Sequence, residues 1–136
     1  MDTIRLNNAV NMPLIGFGVF QITDEDICRH SVMHALKTGY RMFDTAACYG
    51  NERAVGKAIK ESGIPREEIF LTSKLWIQDA GYEKTKESFA KTLQNLQTEY
   101  LDMYLIHMPY GDYYGSWRAM EELYKQGKIK AIGVCN

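Results

Sequence analysis

Phe43-Asp44-Thr45-Ala46-Ala47-Cys48-Tyr49-Gly50-Asn51-Glu52 joins two kinds of pattern, and the fold is read outward from it. Upstream, Arg41–Asp44 is a strand-length apolar run that finishes on a carboxylate. Downstream, from Asn51 to about Glu61, Ala54, Val55, Ala58 and Ile59 recur at helical spacing, and Gly63 with Pro65 beyond ends the segment. The same alternation continues in both directions. Leu14–Phe20, Ile69–Lys74, Leu101–His107 and Lys130–Cys135 are further strand-length runs. Thr23 reads as an N-cap, with Asp24, Glu25 and Asp26 in the first turn, where the helix dipole favours carboxylates. Cys28, Val32, Ala35 and Leu36 then share one face, and Gly39 closes the helix. Phe89, Leu93 and Leu96 form a stripe within Tyr82 to about Gln97; Trp117, Met120, Leu123 and Tyr124 form another before Gly127. Ile4–Leu6 and Met12–Leu14, around Asn7-Asn8, read as a small hairpin.

Strand–helix units of ~30 residues are the size of a βαβ unit and imply a parallel sheet. The chain of 136 residues holds four such units and a fifth strand. That count completes a doubly wound sheet. It is too short for a whole (β/α)8 barrel, which runs to ~250 residues.

Composition narrows the class. Hydrophobic residues are 46% and charged residues 24%, a globular and not a disordered balance. Lys+Arg is 16 against Asp+Glu 17, so there is no electrostatic case for a nucleic-acid or anionic-membrane partner. No apolar run reaches the ~18 residues of a membrane helix. The start MDTIRLNN lacks the pattern of an export signal, and Cys28, Cys48 and Cys135 form no CxxC pair. A reducing cytoplasm is the expected compartment.

Three ionisable residues finish strands: Asp44, Lys74 in Leu71-Thr72-Ser73-Lys74, and His107 in Tyr104-Leu105-Ile106-His107. Tyr49 follows Asp44 by five residues in a loop. Each has an ordinary structural role open to it: a helix cap, a solvated lysine, a core histidine, a loop aromatic. Together, at the carboxyl ends of parallel strands where α/β folds place their sites, they have one chemical reading. A free phenol is a poor acid near neutrality, but a neighbouring ammonium stabilises the phenolate. Lys74 supplies that charge, Asp44 pairs with it, and neutral His107 orients a carbonyl oxygen on which negative charge develops. No side chain supplies a hydride, so this chemistry requires a nicotinamide cofactor.

With Gly16-Phe17-Gly18, Ser73-Lys74-Leu75-Trp76 and Ile132-Gly133-Val134-Cys135-Asn136 added to these stretches, the sequence resembles the aldo-keto reductases. The bacterial members grouped with the 2,5-diketo-gluconate reductases are the nearest in pattern, and the match runs from Met1 to Asn136. The resemblance implies a (β/α)8 barrel of which this chain is the first half, NADPH as cofactor, and reduction of aldehydes or ketones to alcohols. It implies Tyr49 as general acid, tuned by Lys74 and Asp44, with His107 positioning the carbonyl. Val19, Phe20, Asp44, Cys135 and Asn136 fall at cofactor-binding positions, and Phe20, Trp76, His107 and Met108 line the substrate pocket. No metal is implied.

Three departures stand out. The family usually has Ser-Asn where this chain has Cys135-Asn136, and a thiol is the weaker hydrogen-bond partner. Many members have Trp after the histidine; here it is Met108, which is flexible. The family continues past the position of Asn136 for three more strands, which carry the aromatic that stacks on the nicotinamide and the basic phosphate-binding residues. An open strand edge there predicts self-association. The competing expectation is an inert fragment or scaffold.

Other signals are weaker. Gly16-Phe17-Gly18 fails as GxGxxG at Gln21, which argues against a dinucleotide-binding loop. His30 and His34 have metal-ligand spacing but no third ligand. Tyr110–Tyr114 reads as a loop over the site, and Cys48 is open to oxidation beside Tyr49. Lys74 at a strand end also suits a Schiff-base lyase, but such a lysine is desolvated and not paired with a carboxylate.

Overall fold

The computed structural model describes all of residues 1–136. An N-terminal hairpin, β1 (Thr3–Arg5) and β2 (Asn11–Pro13), precedes five parallel strands. These are β3 (Phe17–Gly18), β4 (Met42–Asp44), β5 (Phe70–Leu75), β6 (Met103–Ile106) and β7 (Ile132–Val134). Helices α1 (Glu25–Lys37), α2 (Glu52–Glu61), α3 (Tyr82–Leu96) and α4 (Tyr113–Lys125) connect them in turn.

The strand order is β3-β4-β5-β6-β7, the order of the sequence. A doubly wound sheet reverses its order at a switch point; this one does not. Right-handed crossovers then put every helix on the same side, and α1 packs on α2, α2 on α3 and α3 on α4. The result is an arc of a (β/α)8 barrel, about half of one.

Several boundaries differ from those expected. Asp24 caps α1, not Thr23: its side chain accepts from Ile27 N at 2.9 Å. The hairpin pairs Thr3 with Pro13 and Arg5 with Asn11, one residue earlier than its apolar residues suggest. Of Leu14–Phe20 only Phe17–Gly18 is paired as strand; Leu14 and Ile15 are exposed, and β3 has a neighbour on one side only. Tyr113 and Tyr114 form the first turn of α4, since Asp112 caps it by accepting from Gly115 N at 2.8 Å; they are not loop.

Alternation along the strands sorts side chains into two faces. Phe43, Leu71, Ser73, Leu75, Tyr104 and Ile106 face the helices and are buried. Fully burying one such side chain contributes about 1.5–3 kcal/mol. Phe89 of α3 packs edge-on against Tyr104 with centroids 5.1 Å apart. The α2–α3 crossing depends on Gly56, where a Cβ would come 2.5 Å from the backbone of Leu96. Asp44, Thr72, Lys74 and Leu105 lie on the other, inner face.

Candidate active site

The register explains how distant residues converge. Asp44 is level with Thr72, so Lys74 stands two residues further along β5; Lys74 is level with Leu105, so His107 stands two residues beyond it. All three point to the inner face at the carboxyl ends. Tyr49 reaches the same place from a single 3₁₀ turn, Ala47–Tyr49, that ends at Gly50. Gly50 has φ +69°, a left-handed conformation that favours glycine.

Lys74 is 7% exposed. Its ammonium donates to Asp44 Oδ1 at 2.5 Å and to the carbonyl of Thr45 at 2.9 Å, and lies 3.5 Å from the Tyr49 hydroxyl. The Tyr49 ring meets the His107 ring edge-on with centroids 5.7 Å apart. Trp76 packs on His107 at 5.2 Å, and Phe20 packs on Tyr49 at 5.0 Å. Burial, and then the positive charge of Lys74, push the His107 pKa below its ordinary value, while Asp44 opposes the shift. His107 is therefore a neutral imidazole at neutral pH.

The structure thus brings Asp44, Tyr49, Lys74, His107, Phe20 and Trp76 into one cluster. Val19 lies at its back, fully buried, with its N–H bonded to the Asp44 carbonyl at 3.1 Å, so only its backbone is near the site. Cys135 and Asn136 follow β7 beside His107. The Asn136 amide donates to the His107 carbonyl at 2.8 Å, and the Cys135 thiol lies 3.4 and 3.3 Å from the carbonyls of Ile106 and His107. Burial raises the Cys135 pKa, which keeps the thiol a donor. Met108 is half-buried next to His107 in sequence; its carbonyl accepts from Tyr110 N–H at 2.9 Å.

Supporting residues appear that the sequence reading did not assign. Asn51 is 3% exposed; it accepts from Thr45 Oγ1 at 2.8 Å and donates to the carbonyls of Val19 and Ile22 at 2.9 and 3.0 Å. It ties the loop carrying Phe20 to the turn carrying Tyr49. Glu52, 4% exposed, accepts from Ser73 Oγ at 2.6 Å and Asn95 Nδ2 at 3.1 Å, and so braces β5 behind Lys74. The Cys48 thiol lies 3.6 Å from His107 Nδ1. Asn51 and Glu52 stand at the start of a helix in the sequence, but nothing local marks their partners, which are up to 43 residues away. Two surface clefts of about 660 and 560 Å³ lie beside the outer strands β3 and β7 and not at this cluster.

Residues 14–136 match the model of the aldo/keto reductase family. The chain is 55% identical over 136 residues to a glyoxal reductase of Bacillus subtilis, covering 99% of this chain and 49% of that protein. A crystal structure of an aldo/keto reductase from Brucella melitensis superposes with a TM-score of 0.95 at 48% identity, over 99% of this chain and 54% of that one. A Bombyx mori aldo-keto reductase crystallised in complex with NADP superposes at 0.91 with 32% identity, over 98% and 50%. The fold is that of about half of such a reductase barrel. The chain belongs to the aldo/keto reductase family, and it spans about half the length of the curated relatives it matches.

Proposed function

We propose that this chain carries the proton-delivering half of an NADPH-dependent reductase of aldehydes or ketones. The observation that carries the reading is the Lys74 ammonium, paired with Asp44 at 2.5 Å and 3.5 Å from the Tyr49 hydroxyl. The Tyr49 O–H gives its proton to the carbonyl oxygen as negative charge builds there. Lys74 stabilises the phenolate left behind, and Asp44 with the Thr45 carbonyl holds the ammonium in place. Neutral His107 donates a hydrogen bond to the same oxygen and orients it. Phe20 and Trp76 flank the two rings.

The residues fit a nicotinamide. Asp44 uses Oδ1 on Lys74, and Asn136 uses its amide N–H on His107. Asp44 Oδ2 and the Asn136 side-chain oxygen remain free acceptors, which suits the NH₂ of a carboxamide. When bound, the reduced nicotinamide supplies the hydride. A small-molecule carbonyl is the proposed substrate, in keeping with the glyoxal reductase to which the chain is similar.

A Schiff-base role for Lys74 is disfavoured by the same geometry. Its N–H bonds are directed at Asp44, Thr45 and Tyr49, leaving no lone pair for attack on a carbonyl carbon. The test is an NADPH titration of this chain by calorimetry at fixed salt, with sedimentation to report self-association, followed by borohydride trapping with a small aldehyde. Stoichiometric micromolar binding without a Lys74 adduct supports the reading. Absence of binding overturns it for this chain in favour of an inert fragment, and a Lys74 adduct overturns it in favour of a lyase.

A further inference from the structure

Cys48 is carried by the same short turn as Tyr49, and its thiol is the only side chain that contacts a ring nitrogen of His107, at 3.6 Å from Nδ1. Nε2 has no protein partner. The imidazole is otherwise held by ring contacts alone, with Tyr49 edge-on at 5.7 Å and Trp76 at 5.2 Å. Such contacts fix the plane of a ring but not which of its nitrogens carries the proton. They also do not distinguish the ring from its flipped form, in which Nδ1 and Cδ2 exchange places. A hydrogen bond to one nitrogen settles both, and thereby the tautomer.

We infer that Cys48 is a positioning residue for His107: its S–H donates to Nδ1, holding the imidazole as the Nε2–H tautomer with its donor facing the carbonyl. The inference rests on the reductase reading only for what Nε2 meets. The alternative state of the pair, thiolate with imidazolium, is opposed from both sides. Although Cys48 is exposed overall, partial desolvation of its thiol raises its pKa, and burial with the Lys74 charge lowers that of His107. A protonated thiol is also a poor nucleophile, which favours a hydrogen-bonding role over a covalent one. The titratable groups around the imidazole are Asp44 on β4, Cys48 and Tyr49 on the turn, Lys74 on β5 and Cys135 after β7. Of these only Cys48 contacts a ring nitrogen.

The test is long-range ¹H–¹⁵N NMR of this chain labelled at its three histidines, with His107→Gln to assign the signals. The expected wild-type spectrum shows Nδ1 unprotonated and Nε2 protonated. Cys48→Ala should move the tautomer ratio toward Nδ1–H by roughly three- to five-fold, the size expected for losing one weak hydrogen bond. It should also raise the His107 midpoint, because a donor to the neutral ring is lost. Cys48→Ser, which keeps a donor, should restore both. An unchanged tautomer ratio and midpoint in Cys48→Ala overturns the inference. The spectra are recorded without substrate or cofactor, so failure of the reductase reading leaves them unaffected.

Discussion

The ammonium of Lys74 lies 3.5 Å from the hydroxyl of Tyr49, although 25 residues and a helix separate them in the chain. The contact places a fixed positive charge beside a phenol, and the carboxylate that balances the charge, Asp44, lies 2.5 Å from the same ammonium. In the proposed reaction this is a local device for delivering a proton without a strong acid.

Removing the phenol oxygen should therefore remove the acid and little else. Tyr49→Phe should lower turnover of an aldehyde by about 10²–10⁴ while leaving NADPH affinity unchanged, because the ring still packs on Phe20 and His107. Steady-state kinetics with a calorimetric titration checks this. Retained turnover would show that the proton comes from elsewhere.

The lowered pKa of His107 has a consequence for stability. Above its ordinary value of 6.5 the imidazole is neutral both folded and unfolded, and contributes no pH dependence. As pH falls below 6.5, the unfolded chain takes up a proton that the folded site resists, so stability is lost until the folded pKa is reached. Denaturation at a series of pH values should show a slope below 6.5 that is reduced in His107→Gln.

At the opposite end of the strands, Asp102 is 4% exposed and accepts from Leu71 N–H at 3.0 Å, Arg66 at 2.8 Å and Lys130 at 3.0 Å. Asp102→Ala leaves a buried N–H unpaired and should cost about 2 kcal/mol in urea denaturation, with the site geometry intact.

Gly56→Ala should destabilise by about 1–3 kcal/mol, since the added methyl meets Leu96 backbone atoms at 2.5 Å that cannot move without shifting α3. Thermal unfolding measures it. A neutral result would mean that α2 and α3 separate at little cost.

Much was legible from the residues alone. The apolar periods located all four helices and all the strands, because one buried face imposes a spacing of 3.6 or 2 on any chain. Asp44, Lys74 and His107 could be picked out as polar residues where apolar runs stop, and Tyr49 as a residue five positions beyond Asp44 in the following loop. Where local signals competed, the sequence reading slipped. Thr23 and Asp24 are both good caps, and only the backbone path selects Asp24. Tyr113 and Tyr114 read as loop because no apolar stripe includes them, yet the Asp112 cap starts α4 there.

What sequence by itself determined is the set of elements, the chemistry available at their ends, and a pattern specific enough to point to a family. Tertiary structure alone decided the rest. Strand order separated an arc of a barrel from a doubly wound sheet, because pairing between strands is non-local and leaves no trace in either strand. The two-residue offset between neighbouring strands set which side chains meet. The partners of Asn51, Glu52 and Cys48 emerged only there, since a hydrogen bond depends on distances of about 3 Å that no sequence spacing encodes.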